Sequence, residues 1–100
     1  MPYILTEQRP VLDQHIENLA KAICSQVKES TDIAGLLNYC ITRIILISLR
    51  NRFGKLRYWM SPIVRGTLQD VGDEFYWRKM RKYEDQKIAE NGDVPEYSQP

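Results

Sequence analysis

From Ile33 to Gln69 the chain carries no acidic residue at all, and elsewhere it is short of most chemistry-bearing types. Histidine occurs once, at His15, and cysteine twice, at Cys24 and Cys40, with no C-x-x-C spacing. A zinc site needs several converging nitrogen, sulfur or carboxylate ligands, so metal binding has almost nothing to draw on. Both thiols sit in apolar helical patterns and are expected to be reduced and buried, acting as small hydrophobes. A single histidine also leaves serine, threonine and cysteine poorly supplied with a general base, and no nucleophile elbow occurs. The five glycines form neither GxxxxGK[ST] nor GxGxxG, which excludes the standard phosphate-cradling loops. Glu84 and Asp85 could do acid–base work, but adjacent acids point about 100° apart on a helix and are usually solvated. Catalysis therefore has little support, and no cofactor is expected.

Long apolar runs are missing as well. The longest, Ile44 to Leu49, is interrupted by Ser48 and is too short to span a bilayer. The start, MPYILTEQRP, has neither the basic opening nor the apolar centre of a secretory signal. The expectation is a cytoplasmic protein without a membrane partner, in the host cytoplasm if a virus encodes it.

What is present is an ordinary globular composition with an unusual distribution of charge. The 100 residues sum to +1, yet Arg43, Arg50, Arg52, Lys55, Arg57 and Arg65 give the acid-free middle +6. The flanks are mildly acidic, −2 over the first 32 residues and −3 over the last 31. A basic middle between acidic ends can be neutralised within one chain or by head-to-tail contacts between copies.

Apolar spacing predicts an all-α, three-helix domain over residues 1–92 with a tail at 93–100. Thr6 reads as the cap of a first helix, on which Leu12, Ile16, Leu19, Ile23 and Val27 make one stripe running to about Lys28. The stretch 28–32 breaks it and supplies the next cap. A second helix, about Ile33 to Arg50, is apolar on more than one side, the mark of a helix with partners on two faces. Asn51 to Arg57 forms a basic loop around Gly54. Ser61-Pro62 opens a third helix carrying Val64, Leu68, Val71 and Phe75, which runs to about Glu90 and stops at Asn91-Gly92. A third helix that long in so small a chain predicts a homo-oligomer.

Residues 74–94 of that region, EFYWRKMRKYEDQKIAENGDV, are dense in charges and rings. Helical spacing sets Glu74 against Arg78, Lys79 against Tyr83, Arg81 against Asp85 and Glu84 near Lys87. A salt-bridged exposed helix accounts for the charges but not for the rings. Phe75, Tyr76 and Trp77 are consecutive and fan around most of the helix, so at least one faces a second partner. Interface burial is the commoner fate of such residues, and ligand stacking beside arginine is the alternative.

These residues also carry a resemblance. MPYI, Asn38-Tyr39 with Ile41-Thr42, Gly66 with Leu68, and EFY-x-RK…YED-x-KI-x-ENGDV together resemble a small family from bacteriophage and bacterial genomes, filed as a domain of unknown function. The likeness covers nearly the whole chain, and the C-terminal block is its specific part. The family pattern reads EFYRR and PYEDxK, so Trp77 stands in place of an arginine and Lys82 in place of a proline. Losing that proline removes an expected helix break before Tyr83. The resemblance implies a compact helical accessory protein marked by polar residues. Those residues either form a bracing network or line a site.

Three readings of function follow. The first is a non-enzymatic, phage-type homo-oligomer that binds a small phosphorylated or nucleotide-derived ligand, in its sharper form sequestering an immune signal. Arg78, Arg81 and Lys87 would meet phosphate, Tyr76, Trp77 or Tyr83 would stack, and Asn38 would hydrogen-bond, with Arg57 and Arg65 as secondary contacts. The second is a helical adaptor or inhibitor docking on a host protein through the aromatic third helix. The third is DNA or RNA binding through the basic 43–65 segment, where Tyr58 and Trp59 are interleaved.

Overall fold

Two glycines mark helix ends. Gly54 and Gly92 take φ of +85° and +86°, and each N–H donates 2.8 Å to the carbonyl four residues back, of Arg50 and Ile88. An L-residue resists that half of backbone space, so glycine makes both stops inexpensive. The computed structural model describes residues 4–100, which are mostly helical and contain no strand. Met1 to Tyr3, part of the MPYI motif, lie outside the described residues. The helices are α1, Arg9–Gln26, α2, Asp32–Phe53, and α3, Met60–Phe75, which passes through a π turn at Tyr76–Met80 into α4, Arg81–Asn91. Single 3-10 turns occupy Thr6–Gln8 and, within the expected tail, Pro95–Ser98. The chain divides into two units, Met1–Met60 and Ser61–Pro100.

In the first unit α1 and α2 form a helical hairpin. Asp32 ties its turn: the carboxylate accepts the N–H of Lys28 and Glu29 at 3.0 and 3.1 Å. The Glu29 bond first, then the Lys28 bond, holds the carboxyl below its ordinary value. At the other end Thr6 does not cap α1. It opens the 3-10 turn, whose N-cap is Leu5, and the Gln8 side chain accepts the Leu5 N–H at 3.1 Å. The stripe of α1 is half-buried at Leu19, Ile23 and Val27, as are Leu36 and Cys40 of α2, while Leu12 and Ile16 stay exposed. Cys24 is exposed, which corrects the expectation of two buried thiols. It lies next to Ile23 on a narrow stripe, and about 100° of rotation is enough to take it out of contact.

Met60 is the one buried residue among those described, and its Sδ accepts the Arg57 N–H at 3.4 Å. Large apolar side chains remain exposed along α2, among them Leu37, Ile41, Ile44 and Ile47. The 22 residues of α2 are also long and apolar enough to cross a membrane by length and composition alone. Counting uninterrupted apolar residues misses this, because isolated polar positions such as Asn38 and Ser48 do not end the helix. Arg43 would sit near the middle of such a span, where a charge costs about 2.5–3.5 kcal/mol.

The second unit is built on one helical run. Its stripe of Val64, Leu68, Val71 and Phe75 steps by four, three and four, and the last three are exposed. With lysine at position 82, the backbone stays helical past Tyr83 to Asn91.

Candidate functional site

Each predicted site residue of the C-terminal block meets a neighbour on its own helix. Arg78 Nε donates to Glu74 Oε2 at 3.2 Å, and Arg81 Nη2 lies 3.1 Å from Asp85 Oδ1. Both pairs sit at i,i+4, as the sequence predicts. Lys87 departs from expectation: its Nζ reaches Glu90 at 3.3 Å instead of Glu84. Glu84 and Glu90 each lie three residues from Lys87, so spacing brings both within reach and does not by itself choose between them.

The rings join these pairs. Tyr76 and Trp77 meet edge to face with centroids 6.1 Å apart, the Arg81 guanidinium lies 5.5 Å from the Trp77 centroid, and Lys87 lies 5.5 Å from that of Tyr83. The Tyr76 hydroxyl, ahead of the Asp85 carboxylate, holds the Arg81 guanidinium above its ordinary value. Tyr76, Trp77, Arg81 and Asp85 thus form one cluster, and Tyr83, Lys87 and Glu90 another. Both run along the helix. Their charges are exposed, so the pairs add little stability, and an anion would have to displace a carboxylate from each.

The basic segment is arranged differently. No ion pair among the described residues includes Arg43, Arg50, Arg52, Lys55, Arg57 or Arg65, which follows from the absence of acids around them. Four of these, Arg50, Arg52, Lys55 and Arg57, fall within eight residues around the Gly54 turn. Arg50 and Arg52 complement the negative end of the α2 dipole, whereas Lys55 and Arg57 lie beyond it. Phe53, which sequence reasoning passed over, anchors the turn. Its ring meets Trp59 edge to face at 5.2 Å, and the Arg52 guanidinium stands 5.3 Å from its centroid. The signal was there to find: Phe53 and Trp59 bracket a positive-φ glycine. Beside them Tyr58 is 92% exposed. Arg65, on α3, belongs to the second unit.

Asn38 lies on α2, where its Oδ1 accepts the Thr42 hydroxyl at 3.4 Å. With Ala34, Gly35, Tyr39 and Thr42 it lines a shallow, open depression. Ser25 and Lys28 also stand in S-x-x-K spacing. Ser25 donates its hydroxyl to the Ala22 carbonyl at 2.6 Å and Lys28 lies past the end of α1, so no nucleophile–base pair is built. Among the described residues no group of three or more His, Cys, Asp or Glu is placed to hold a metal ion.

A family model described as "Domain of unknown function (DUF6899)" matches residues 1–94. No curated protein and no solved structure matches the chain.

Proposed function

We propose a binding role without chemistry for this chain, which belongs to that family of unknown function. Its ligand is a phosphate-bearing, nucleotide-derived anion, and the contact surface is the turn after α2. One observation carries the reading. The cations at positions 50–57 have no carboxylate partner, while Arg78, Arg81 and Lys87 each have one. Unpaired guanidinium and ammonium groups receive phosphate without first breaking an ion pair. Tyr58 offers an exposed ring face for stacking beside them. Because the turn is open, an extended ligand fits it better than a compact one that must be enclosed. Single-stranded nucleic acid is the form that matches.

Titration of the chain with a single-stranded oligonucleotide, a duplex and inorganic phosphate tests this. The single strand is expected to bind most tightly. Four contacts give a log–log salt slope of about −3. Lys55→Glu with Arg57→Glu is expected to weaken binding about tenfold or more, whereas Arg78→Ala leaves it nearly unchanged. Absence of binding to all three probes at low salt overturns the reading.

The depression around Asn38 supports a second reading. Asn38, Tyr39 and Thr42 are three polar residues of the family-like pattern, and they line one concavity together. A small cyclic or linear nucleotide held there would suit sequestration of a signal. Calorimetry with a nucleotide panel, on the parent and on Asn38→Ala, separates this site from the basic turn.

A further inference from the structure

We propose that the helical segment 61–91 pairs antiparallel with the same segment of a second copy of this chain. The first ground is the shape of its apolar stripe. Val64, Leu68, Val71 and Phe75 follow heptad steps of four and three, and Tyr83 comes eight residues after Phe75. In an unbroken α-helix eight residues leave Tyr83 about 80° away from Phe75. The π turn at Tyr76–Met80 takes up one residue, so the eight count as seven and Tyr83 returns to within about 20° of the stripe. The result is a narrow seam of the kind that coiled coils use, not the broad face of a helix laid on a globular core. It is unoccupied: Val71, Phe75 and Tyr83 are 60%, 58% and 59% exposed.

Charge identifies the occupant. From Ser61 to Phe75, Arg65 stands against Asp70, Asp73 and Glu74, for a net −2. From Tyr76 to Asn91 five cations stand against Glu84, Asp85 and Glu90, for a net +2. Equal and opposite halves make the segment complementary to its own reversed copy, whereas a parallel copy sets like against like. The groups available to meet across the pair are also in place. Glu74, beside Phe75 on one half, and Lys82, beside Tyr83 on the other, both border the seam, and Lys79 and Lys82 take part in no ion pair among the described residues. Lys79 additionally falls on the seam between Phe75 and Tyr83, and a lone cation there sets register at some cost in stability.

The test is the mass of the full chain in solution across a dilution series. The parent is expected to reach at least twice its 11.8 kDa chain mass, with association weakening as salt rises. Lys79→Glu with Lys82→Glu, and separately Glu74→Lys, are each expected to raise the dissociation constant about tenfold or more. Mixing these two variants restores association, because each then offers the charge the other lacks. That rescue also shows that both variants retain their helices. Trp77→Glu, on the side away from the seam, leaves the mass unchanged. A single-chain mass at every concentration overturns the proposal, and so does a failure of the mixture to restore pairing. The anion-binding turn lies in the other unit and is read by a different titration, so either proposal can fail without the other.

Discussion

The backbone N–H of Arg81 donates to the carbonyl of Tyr76, five residues back instead of four. This bond widens the helix by one residue and stacks the two side chains on one side, where i,i+5 partners of an α-helix would diverge by about 140°. The Tyr76 hydroxyl then favours the charged guanidinium, and Arg81 reaches Trp77 and Asp85 from the same position. One backbone irregularity therefore organises both the polar cluster and the apolar seam beyond it.

Deleting Lys79 closes the π turn and restores an α ladder. Tyr83 then stands seven residues after Phe75 and stays within about 20° of its line. We expect helix content by circular dichroism to stay within error of the parent and self-association to be retained. A single-chain mass for the deletion alone would show that the turn does more than take up one residue of the seam's register.

Met60→Ala is expected to destabilise the first unit by about 2–5 kcal/mol, since it empties the one buried side-chain position among the described residues. Met60→Leu keeps the volume and is expected to cost less than about 1.5 kcal/mol. Tyr58→Ala, two positions away and almost wholly exposed, is expected to change stability by less than about 0.5 kcal/mol yet weaken oligonucleotide binding. Urea denaturation and the binding titration separate the effects.

Acid should loosen the α1–α2 turn through Asp32. Its folded-state carboxyl lies below its unfolded value, so the contribution is fully present above the ordinary carboxylate range and is lost as pH falls through the folded value. Asp32→Asn removes that dependence. Amide protection at Lys28 and Glu29, taken relative to an unstructured peptide at the same pH, is expected to fall down the acid range in the parent and to be low at every pH in the variant.

Gly54→Ala meets open space but must place an L-residue at φ near +85°. We expect a cost of about 1–2 kcal/mol, read as a lower thermal midpoint. Because the same turn spaces Arg52 from Lys55 and Arg57, anion affinity should drop with it. Unchanged affinity would place the binding surface elsewhere.

Much of this architecture is legible from spacing alone. The helix stop at Gly92, the seam through Val64, Leu68, Val71 and Phe75, and the Glu74–Arg78 and Arg81–Asp85 pairs all depend on neighbours within one helical turn, whereas α2 continues through residues 51–53, which spacing assigns to a loop, before it stops at Gly54. Local geometry is a property of the chain. The absence of acids between Ile33 and Gln69 likewise leaves the middle cations without a partner within one helical turn.

Other features needed the folded molecule. Nothing in Phe75-Tyr76-Trp77 announces a π turn, because opening the ladder depends on how Tyr76, Trp77 and Arg81 settle together. Which acid Lys87 takes, whether Cys24 is covered, and how much of α2 stays exposed are decided by contacts among groups that sequence spacing leaves equivalent. Sequence determined where helices run and which charges they carry. Tertiary structure decided which of those charges are already satisfied, because pairing depends on distance in space, and helical periodicity supplies only the neighbours of a single element.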